Sequence, residues 1–104
     1  MTDTFSRRRI EVLADAPLIP AIVKIAGEAG ITHYTLLPTL GGAGSHGRWR
    51  DEQLSGATAK VMLLVITSVE HTAAFIDLLA PLLESHHLML LTSDVEVVRG
   101  RKFD

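Results

Sequence analysis

The sequence predicts an α+β fold in which a four-stranded antiparallel sheet carries two helices on one face. The strand and helix signals follow one another as strand, helix, strand, loop, strand, helix, strand. The chain has 104 residues, 47% hydrophobic and 21% charged, which is the size and composition of a single folded domain, residues 1–104. The order gives two strand–helix–strand units, residues 7–40 and 59–99, with a long loop between strands two and three. This is the ferredoxin-like βαββαβ arrangement.

The first unit begins with a strand over residues 7–15, where apolar residues occupy alternate positions. A helix over residues 16–30 follows, and Gly30 supplies a left-handed stop at its C-terminal end. Residues 32–40 are rich in β-branched and aromatic side chains and form a second strand, in which Pro38 indicates a sheet edge or a strand end. The apolar positions are Ile10, Val12 and Ala14 in the strand and Ile19, Ile22, Val23 and Ala26 in the helix.

The second unit begins with residues 59–68, a continuous apolar run that is typical of a buried strand. Residues 69–87 form the second helix, with Ser68 as its N-cap and Pro81 predicted to kink the helix or end its regular part. The last strand covers residues 88–101, and Ser93-Asp94 indicate a bulge or a bend within it. The stripe expected to pack on the sheet consists of Phe75, Ile76, Leu79, Leu82 and Leu83.

The strands are more apolar than two helices require. The run "VMLLVI" (61–66) is apolar at every position, so it presents hydrophobic side chains on both faces of the sheet. Two helices cover only one of these faces. The sequence therefore predicts an obligate oligomer, in which a second subunit covers the other face.

Composition excludes several classes of function. Ten Lys and Arg against twelve Asp and Glu give a net charge of −2, which provides no overall attraction to nucleic acid or to an anionic membrane. Without cysteine there is no disulfide, thiolate metal site or cysteine nucleophile. No apolar run has the length of a signal peptide core or a membrane span. We expect a soluble cytoplasmic protein with a flexible N-terminus of about residues 1–6.

The segment "GGAGSHGRWR" (41–50) contains Gly42-x-Gly44-x-x-Gly47, the spacing of a dinucleotide-binding fingerprint. A strand precedes it, and Glu70 follows 23 residues after Gly47. However, the next residues, "RWRDEQLSGAT", have no apolar stripe and cannot form the crossover helix that this fingerprint needs. The dinucleotide-binding fold is therefore rejected.

Residues 41–58 instead form a loop that is long for a compact domain, and loops of this length are usually functional or disordered. Glycines allow several backbone N–H groups to converge on an anion, with side-chain donors beside them. The segment therefore predicts anion or phosphate binding, against the alternative of an ordinary mobile loop. The donor residues are Ser45, His46, Arg48 and Arg50.

A second candidate anion site lies near the C-terminus. Arg99 and Arg101 are two residues apart on an extended segment, so their side chains leave the same face and can converge on one phosphate. Gly100 between them allows a ligand or another chain to come close. The alternative is a solvated basic tail.

Metal and catalytic sites are not predicted. His33, His71, His86 and His87 show no zinc-ligand spacing with a third ligand. The acids fall at turns or exposed loop positions, and Ser45 beside His46 lacks an orienting acid. Trp49, in a polar loop, is either a contact for a partner or folds back on a ligand or on the body of the protein. The acids considered are Asp15, Asp51, Glu52 and Asp94.

Three segments carry a family resemblance: "YTLLPTLGGAGSHGRWR" (34–50), "KVMLLVITS" (60–68) and "DVEVVRGRKF" (94–103). They resemble the PII-like signalling proteins, and in particular the branch associated with carboxysomes and carbon concentration. The resemblance implies a homotrimer without cofactor or catalysis. Adenine nucleotide, either ADP or AMP with ATP as a further candidate, would bind in clefts between subunits. The T-loop, about residues 41–58, would change conformation and signal to a transporter or an enzyme of carbon metabolism.

The resemblance also assigns residues. The nucleotide site would comprise Gly42, Gly44 and Ser45 near the phosphates, together with Arg99, Gly100 and Arg101. Bicarbonate is the candidate for a second anion, bound near His46, Arg48 and Arg50. Without ligand, residues 43–57 are expected to be disordered, because glycines raise the conformational entropy of the free loop.

The chain departs from the family pattern in three places. Residues 41–58 contain no tyrosine, which excludes uridylylation there, and "ESHHLML" (84–90) contains no lysine to complete a triphosphate clamp. Ser45-His46 stand where the related cyanobacterial bicarbonate-transport regulators have Ser-Arg, which argues against a cyclic nucleotide. Two other functions stay open: a small ferredoxin-like enzyme that uses the glycines and arginines on an anionic substrate, and a structural trimer that resembles the copper-tolerance proteins of this architecture.

Overall fold

In a computed structural model the described residues are 3–44, 47–50 and 59–98. They form two helices, six strands and a short 3-10 turn, in the predicted order with one additional hairpin. The helices are α1 (Ile19–Glu28) and α2 (Val69–Ser85), and the 3-10 turn is Ala16–Leu18. The strands are β1 (Thr4–Asp15), β2 (Thr35–Pro38), β3 (Gly41–Gly44), β4 (Gly47–Arg50), β5 (Lys60–Thr67) and β6 (Met89–Val98).

Four of the strands form the main sheet, in the order β2-β5-β1-β6, and every neighbouring pair is antiparallel. β1 is one of the two inner strands, and its Ile10 pairs with Val65 of β5 on one side and with Thr92 of β6 on the other. The predicted βαββαβ arrangement is therefore confirmed. Strands β3 and β4 form a separate two-stranded sheet.

The core lies between one face of this sheet and the two helices. The apolar alternation predicted for β1 is confirmed, and β5 buries alternate residues on the same face. The helices bury the central residues of their predicted stripes, while Val23, Leu82 and Leu83 pack at the margin of the core. The fully buried side chains of largest volume are Phe75, Ile10, Ile22, Leu63, Leu79, Val12 and Val65.

Helix α2 begins at the predicted cap. The Ser68 hydroxyl accepts a hydrogen bond from the His71 backbone N–H at 3.1 Å. The helix continues through Pro81 to Ser85. Pro81 and Asp77 both lie on its exposed face, where water can bond to the carbonyl that loses its helical donor.

Three strands differ from the prediction. β2 covers only Thr35–Pro38 of the predicted residues 32–40. β1 begins at Thr4 and so includes Thr4–Ser6 of the segment expected to be flexible, because these residues pair with the end of β6. The bulge predicted at Ser93-Asp94 is absent, since β6 keeps one register over its whole length. Arg8 contacts this part of β6, donating to Asp94 Oδ1 at 2.6 Å and to Thr92 Oγ1 at 2.7 Å.

The face of the sheet opposite the helices is apolar at its centre. Cross-strand pairing places Leu37, Met62, Leu13 and Met89 in one row across all four strands. Leu64 and Leu91 lie in the next row, on either side of Glu11. Leu37, Met89 and Leu91 remain 43%, 46% and 49% exposed. We call this surface the open face. That a second subunit covers it remains a prediction.

Gly30 ends α1 in the predicted conformation, with a φ of 91°. A Cβ atom at this position would lie 2.9 Å from Nε2 of His71. The His71 ring is also held from its other side, since its Nδ1 lies 3.2 Å from the Thr67 hydroxyl. Gly30 thus meets a requirement of both backbone conformation and space.

We expect Gly30→Ala to lower the free energy of unfolding by about 1–3 kcal/mol, because it combines a strained φ with a steric contact. Gly27→Ala is the matched control. Gly27 lies in α1 with nothing within 4 Å of an added Cβ, so alanine should stabilise the protein by about 0.4–1 kcal/mol. Urea unfolding of both variants measures the difference, and equal effects would contradict this explanation of Gly30.

Candidate functional site

The glycine segment forms a hairpin. Gly42 pairs with Trp49, Ala43 with Arg48 and Gly44 with Gly47. Gly47 has a φ of 112°, a conformation that glycine adopts without strain. Because β4 follows Gly47 where the dinucleotide fingerprint requires a helix, the rejection of that fold is confirmed.

The expectation that residues 43–57 are disordered without ligand is wrong for Ala43, Gly44 and Gly47–Arg50, which are paired in the hairpin. Residues 51–57, like Ser45 and His46, lie outside the described residues. The sequence argument considered only the entropy of a glycine-rich loop. It did not include the contacts that Trp49 makes in the folded hairpin.

Trp49 folds back on the body of the protein, which decides between the alternatives left by the sequence. Its ring lies across Gly42, so closely that a Cβ there would be 2.6 Å from Cζ2 and 3.0 Å from Cζ3. Its indole Nε1 donates to the Thr39 hydroxyl at 2.8 Å. That hydroxyl in turn donates to the Lys60 carbonyl at 2.8 Å. The hairpin is thereby tied to the ends of β2 and β5.

Lys60 links the hairpin to β1 as well. Its ammonium lies 5.3 Å from the centre of the Trp49 ring and donates to Asp15 Oδ1 at 2.7 Å. The two charged side chains are 30% and 45% exposed, so this ion pair contributes little to stability on its own. Its main effect is to orient both side chains. We call Asp15, Thr39, Gly42, Trp49 and Lys60 the Trp49 cluster.

Sequence reasoning missed Thr39 and Lys60, and it considered Asp15 only as a candidate catalytic acid. The available signal was Lys60 at the first position of a buried apolar strand. A charged residue at such a position needs a partner of opposite charge. Which acid it would meet depends on the register of β1 and β5, where Asp15 pairs directly with Lys60.

Gly42, Gly44 and Arg48 are the predicted anion-binding residues of the hairpin whose exposure the structure describes. Gly42 and Gly44 are exposed, and alternate N–H groups along the outer edge of a two-stranded ribbon have no strand partner. Arg48 is exposed on the opposite side of the hairpin from Trp49, because neighbouring residues of a strand point to opposite faces. Arg50 occupies the end of β4 opposite Gly41.

The second predicted half of the site, Arg99, Gly100 and Arg101, lies outside the described residues. The strand that leads to it is described to Val98, which pairs with Thr4 at the start of β1. The Trp49 cluster lies at the other end of β1, at Asp15. Eleven residue steps of β-strand separate these ends by about 36 Å, in a molecule 48 Å long.

Val98 is too far from the glycine segment for the two halves to meet within one chain. Arg101 follows Val98 by three residues, which span at most about 11 Å when fully extended. Adding an arginine side chain does not close a separation of about 36 Å.

Two of the candidate histidines lie beside the hydroxyl group of a neighbouring residue. His33 lies next to the Thr32 hydroxyl at 3.2 Å, and His86 next to the Ser85 hydroxyl at 2.7 Å. Asp51 and Glu52 lie outside the described residues. Within residues 3–44, 47–50 and 59–98, no three side chains of metal-ligating type are grouped around a common point. In the same ranges neither helix has the length and hydropathy of a membrane span.

Comparison with known proteins identifies a family. The family model described as nitrogen regulatory protein P-II matches residues 7–102. No sequence among the curated proteins matches the chain significantly.

The fold is shared with solved structures of low sequence identity. CPII from Thiomonas intermedia K12, a nitrogen regulatory PII-like protein bound to ADP, AMP and bicarbonate, is 22% identical with a TM-score of 0.88 over 97% of this chain and 96% of that one. CPII bound to ADP, AMP and acetate gives a TM-score of 0.81 at 22% identity, over 97% of each chain. The GlnK–ATP complex of B. subtilis is 9% identical, with a TM-score of 0.62 over 86% of this chain and 82% of that one.

Proposed function

The chain belongs to the nitrogen regulatory protein P-II family, and on that premise we propose that it is a non-catalytic regulatory homotrimer that binds adenine nucleotide in clefts between its subunits. The observation that carries the proposal is the separation of the two predicted half-sites. The glycine segment lies at the Asp15 end of β1, whereas β6 leads to Arg99 from the Thr4 end. A site that needs both halves must take them from two subunits.

Each such cleft would join one end of a subunit to the opposite end of its neighbour. This restricts the symmetry of the assembly. Such an interface is heterologous, and repeating it produces either a closed ring or an open filament. The open face favours a ring, because three copies around an axis can bury their apolar rows against one another. Leu37, Met89 and Leu91, the most exposed apolar side chains of this face, have most to gain from that burial.

The proposed nucleotide site combines Gly42, Gly44 and Ser45 of one subunit with Arg99, Gly100 and Arg101 of its neighbour. The glycines would present backbone N–H groups to the phosphates, and the arginines would supply charge-assisted hydrogen bonds. ADP and AMP are the preferred ligands and ATP a further candidate, in line with the ligands of CPII and GlnK. No separate cofactor is required.

We propose bicarbonate as the second ligand, bound beside the hairpin near His46, Arg48 and Arg50. CPII binds bicarbonate or acetate together with adenine nucleotides, which supports a site for a small planar anion in this fold. The bicarbonate of CPII also supports our proposal that this chain belongs to the carbon-concentration branch of the family. The T-loop, residues 41–58, would transmit the ligand state to a cytoplasmic protein partner, either a transporter or an enzyme of carbon metabolism.

We expect light scattering at micromolar concentration to give three times 11.3 kDa. Leu91→Glu places a charge on the open face and should dissociate the trimer. Leu78→Glu is the matched control, since Leu78 is 45% exposed on α2 and Leu91 is 49% exposed on β6. A monomeric wild type would contradict burial of the open face. So would an equal molar mass of the Leu91→Glu and Leu78→Glu variants.

Arg99→Ala and Arg101→Ala should each weaken ADP binding tenfold or more in calorimetry, because loss of a charged partner to a buried phosphate costs about 2–5 kcal/mol. Lys102→Ala removes one positive charge from the same segment and serves as the control for net charge. Unchanged affinity in both arginine variants would make this segment a solvated tail. ADP recovered unaltered after incubation supports a non-catalytic role, whereas turnover would favour the alternative of a small enzyme.

Mixed trimers test the shared cleft directly. An Arg101→Ala subunit and a subunit with the glycine segment impaired by Gly44→Asp should each form trimers without tight ADP binding. Co-expressed in equal amounts, they should recover about a quarter of the clefts, because random assembly joins an intact glycine segment to an intact arginine at that frequency. Recovery of no sites would indicate that both halves come from one chain.

A further inference from the structure

We infer that Trp49 is a positioning residue, which holds the glycine segment of β3 in its ligand-binding conformation, and that Gly42 is glycine because the Trp49 ring occupies the space of its side chain. The inference rests on the proposed nucleotide site and adds to it a residue that touches no part of the ligand. It is carried by the contacts of the Trp49 cluster, each of which lies within the described residues.

The requirement for glycine at position 42 is one of space. Gly41 and Gly47 have positive φ values, but Gly42 does not, so its backbone conformation is open to any residue. What excludes a side chain is the indole ring, whose Cζ2 would lie 2.6 Å from a Cβ atom. At Gly44, by contrast, an added Cβ has nothing within 4 Å. The Trp49 ring therefore requires glycine at position 42, whereas space does not require it at position 44.

The ring itself is held in one orientation by polar contacts. The Thr39 hydroxyl accepts from Trp49 Nε1 and donates to the Lys60 carbonyl, both at 2.8 Å, so its donor and an acceptor site are both used. The Lys60 ammonium, bonded to Asp15, lies 5.3 Å from the ring centre. These contacts reach β1, β5 and the residue that follows β2. The hairpin therefore cannot turn about its base without breaking a hydrogen bond.

Orientation of the hairpin determines where its backbone N–H groups point. A glycine segment that is free in solution loses conformational entropy when it closes on a phosphate, and this loss subtracts from affinity. The Trp49 cluster orders the segment before the ligand arrives. Removing the ring should thus weaken nucleotide binding although the arginines of the neighbouring subunit are intact.

A double-mutant cycle separates this role from direct ligand contact. Trp49→Ala and Gly42→Ala should each weaken ADP binding about tenfold, measured by calorimetry on trimers verified by light scattering. The combined variant should bind no more weakly than Trp49→Ala alone, because the added methyl group then has no ring to displace. The contrary result is that Gly42→Ala weakens ADP binding by the same factor in the wild type and in Trp49→Ala. The ligand itself then needs the space at position 42, and the inference is overturned.

Acrylamide quenching of the single tryptophan supplies a readout that does not depend on binding. Trp49 should be weakly quenched in the wild type and in Gly44→Ala, and more strongly quenched in Gly42→Ala and Thr39→Val. Thr39→Val preserves shape while removing the hydroxyl that holds the indole. Equal quenching in all four proteins would overturn the inference.

The outcomes distinguish this inference from the proposed function. A wild-type protein that binds no adenine nucleotide overturns the proposed function and the positioning role with it. A wild-type protein that binds ADP, with Trp49→Ala binding equally well, overturns the positioning role alone. Loss of the trimer or of cooperative unfolding in Trp49→Ala, together with normal ADP binding in Thr39→Val and Gly42→Ala, would assign Trp49 to stability only.

Discussion

The length of β1 is the constraint on which the other features of this protein depend. Twelve residues of extended chain pair with β6 almost throughout and with β5 over their C-terminal two thirds. One end of this strand, at Asp15, supports the glycine hairpin, and the other, at Thr4, supports the end of β6. A single rigid strand thus keeps the two groups of candidate anion-binding residues far apart. The proposed site, which uses both groups, would therefore require association of subunits.

The same sheet gives a physical reason for the proposed association. Its helical face buries a contiguous core, whereas the open face leaves Leu37, Met89 and Leu91 nearly half exposed. A domain of this size buries a modest fraction of its chain surface, so leaving one apolar face in water is a substantial loss. In the proposed trimer, covering that face and completing the cleft would be two results of one assembly. Stability and ligand binding would then be coupled.

Much of the fold could be predicted because its signals are local. The alternation in β1, the helical stripes, the Ser68 cap and the left-handed Gly30 each follow from residues a few positions apart. α2 does not end at Pro81, so a kink there stays a prediction, and the bulge predicted at Ser93-Asp94 was wrong. Such interruptions depend on the surroundings of a residue. Pro81 lies on the exposed face of α2, where water can bond to the carbonyl that loses its donor, and Ser93 and Asp94 stay in register with β1.

Only part of the candidate site could be predicted, because its other contacts depend on residues that are distant in the sequence. Glycines, arginines and their spacing are visible in the sequence, and they indicate an anion. The contact of Trp49 with Gly42 depends on hairpin register, and the pairing of Lys60 with Asp15 depends on the register of two distant strands. Neither register has a local signature. The loop was therefore expected to be disordered where the structure has a hairpin.

A glycine-rich binding segment faces two opposing requirements. It must leave its backbone uncovered so that an anion can approach, which excludes side chains from the segment, and it must be ordered so that binding does not carry the full entropic cost. A large side chain from the opposite strand meets both requirements, because it packs against one face of the segment and leaves the other open. In this protein the indole of Trp49 covers one face of Gly42, and its hydrogen bond to Thr39 fixes the ring to the sheet. The order that the glycines cannot supply themselves therefore comes from β4, the strand that also carries Arg48 on its opposite face.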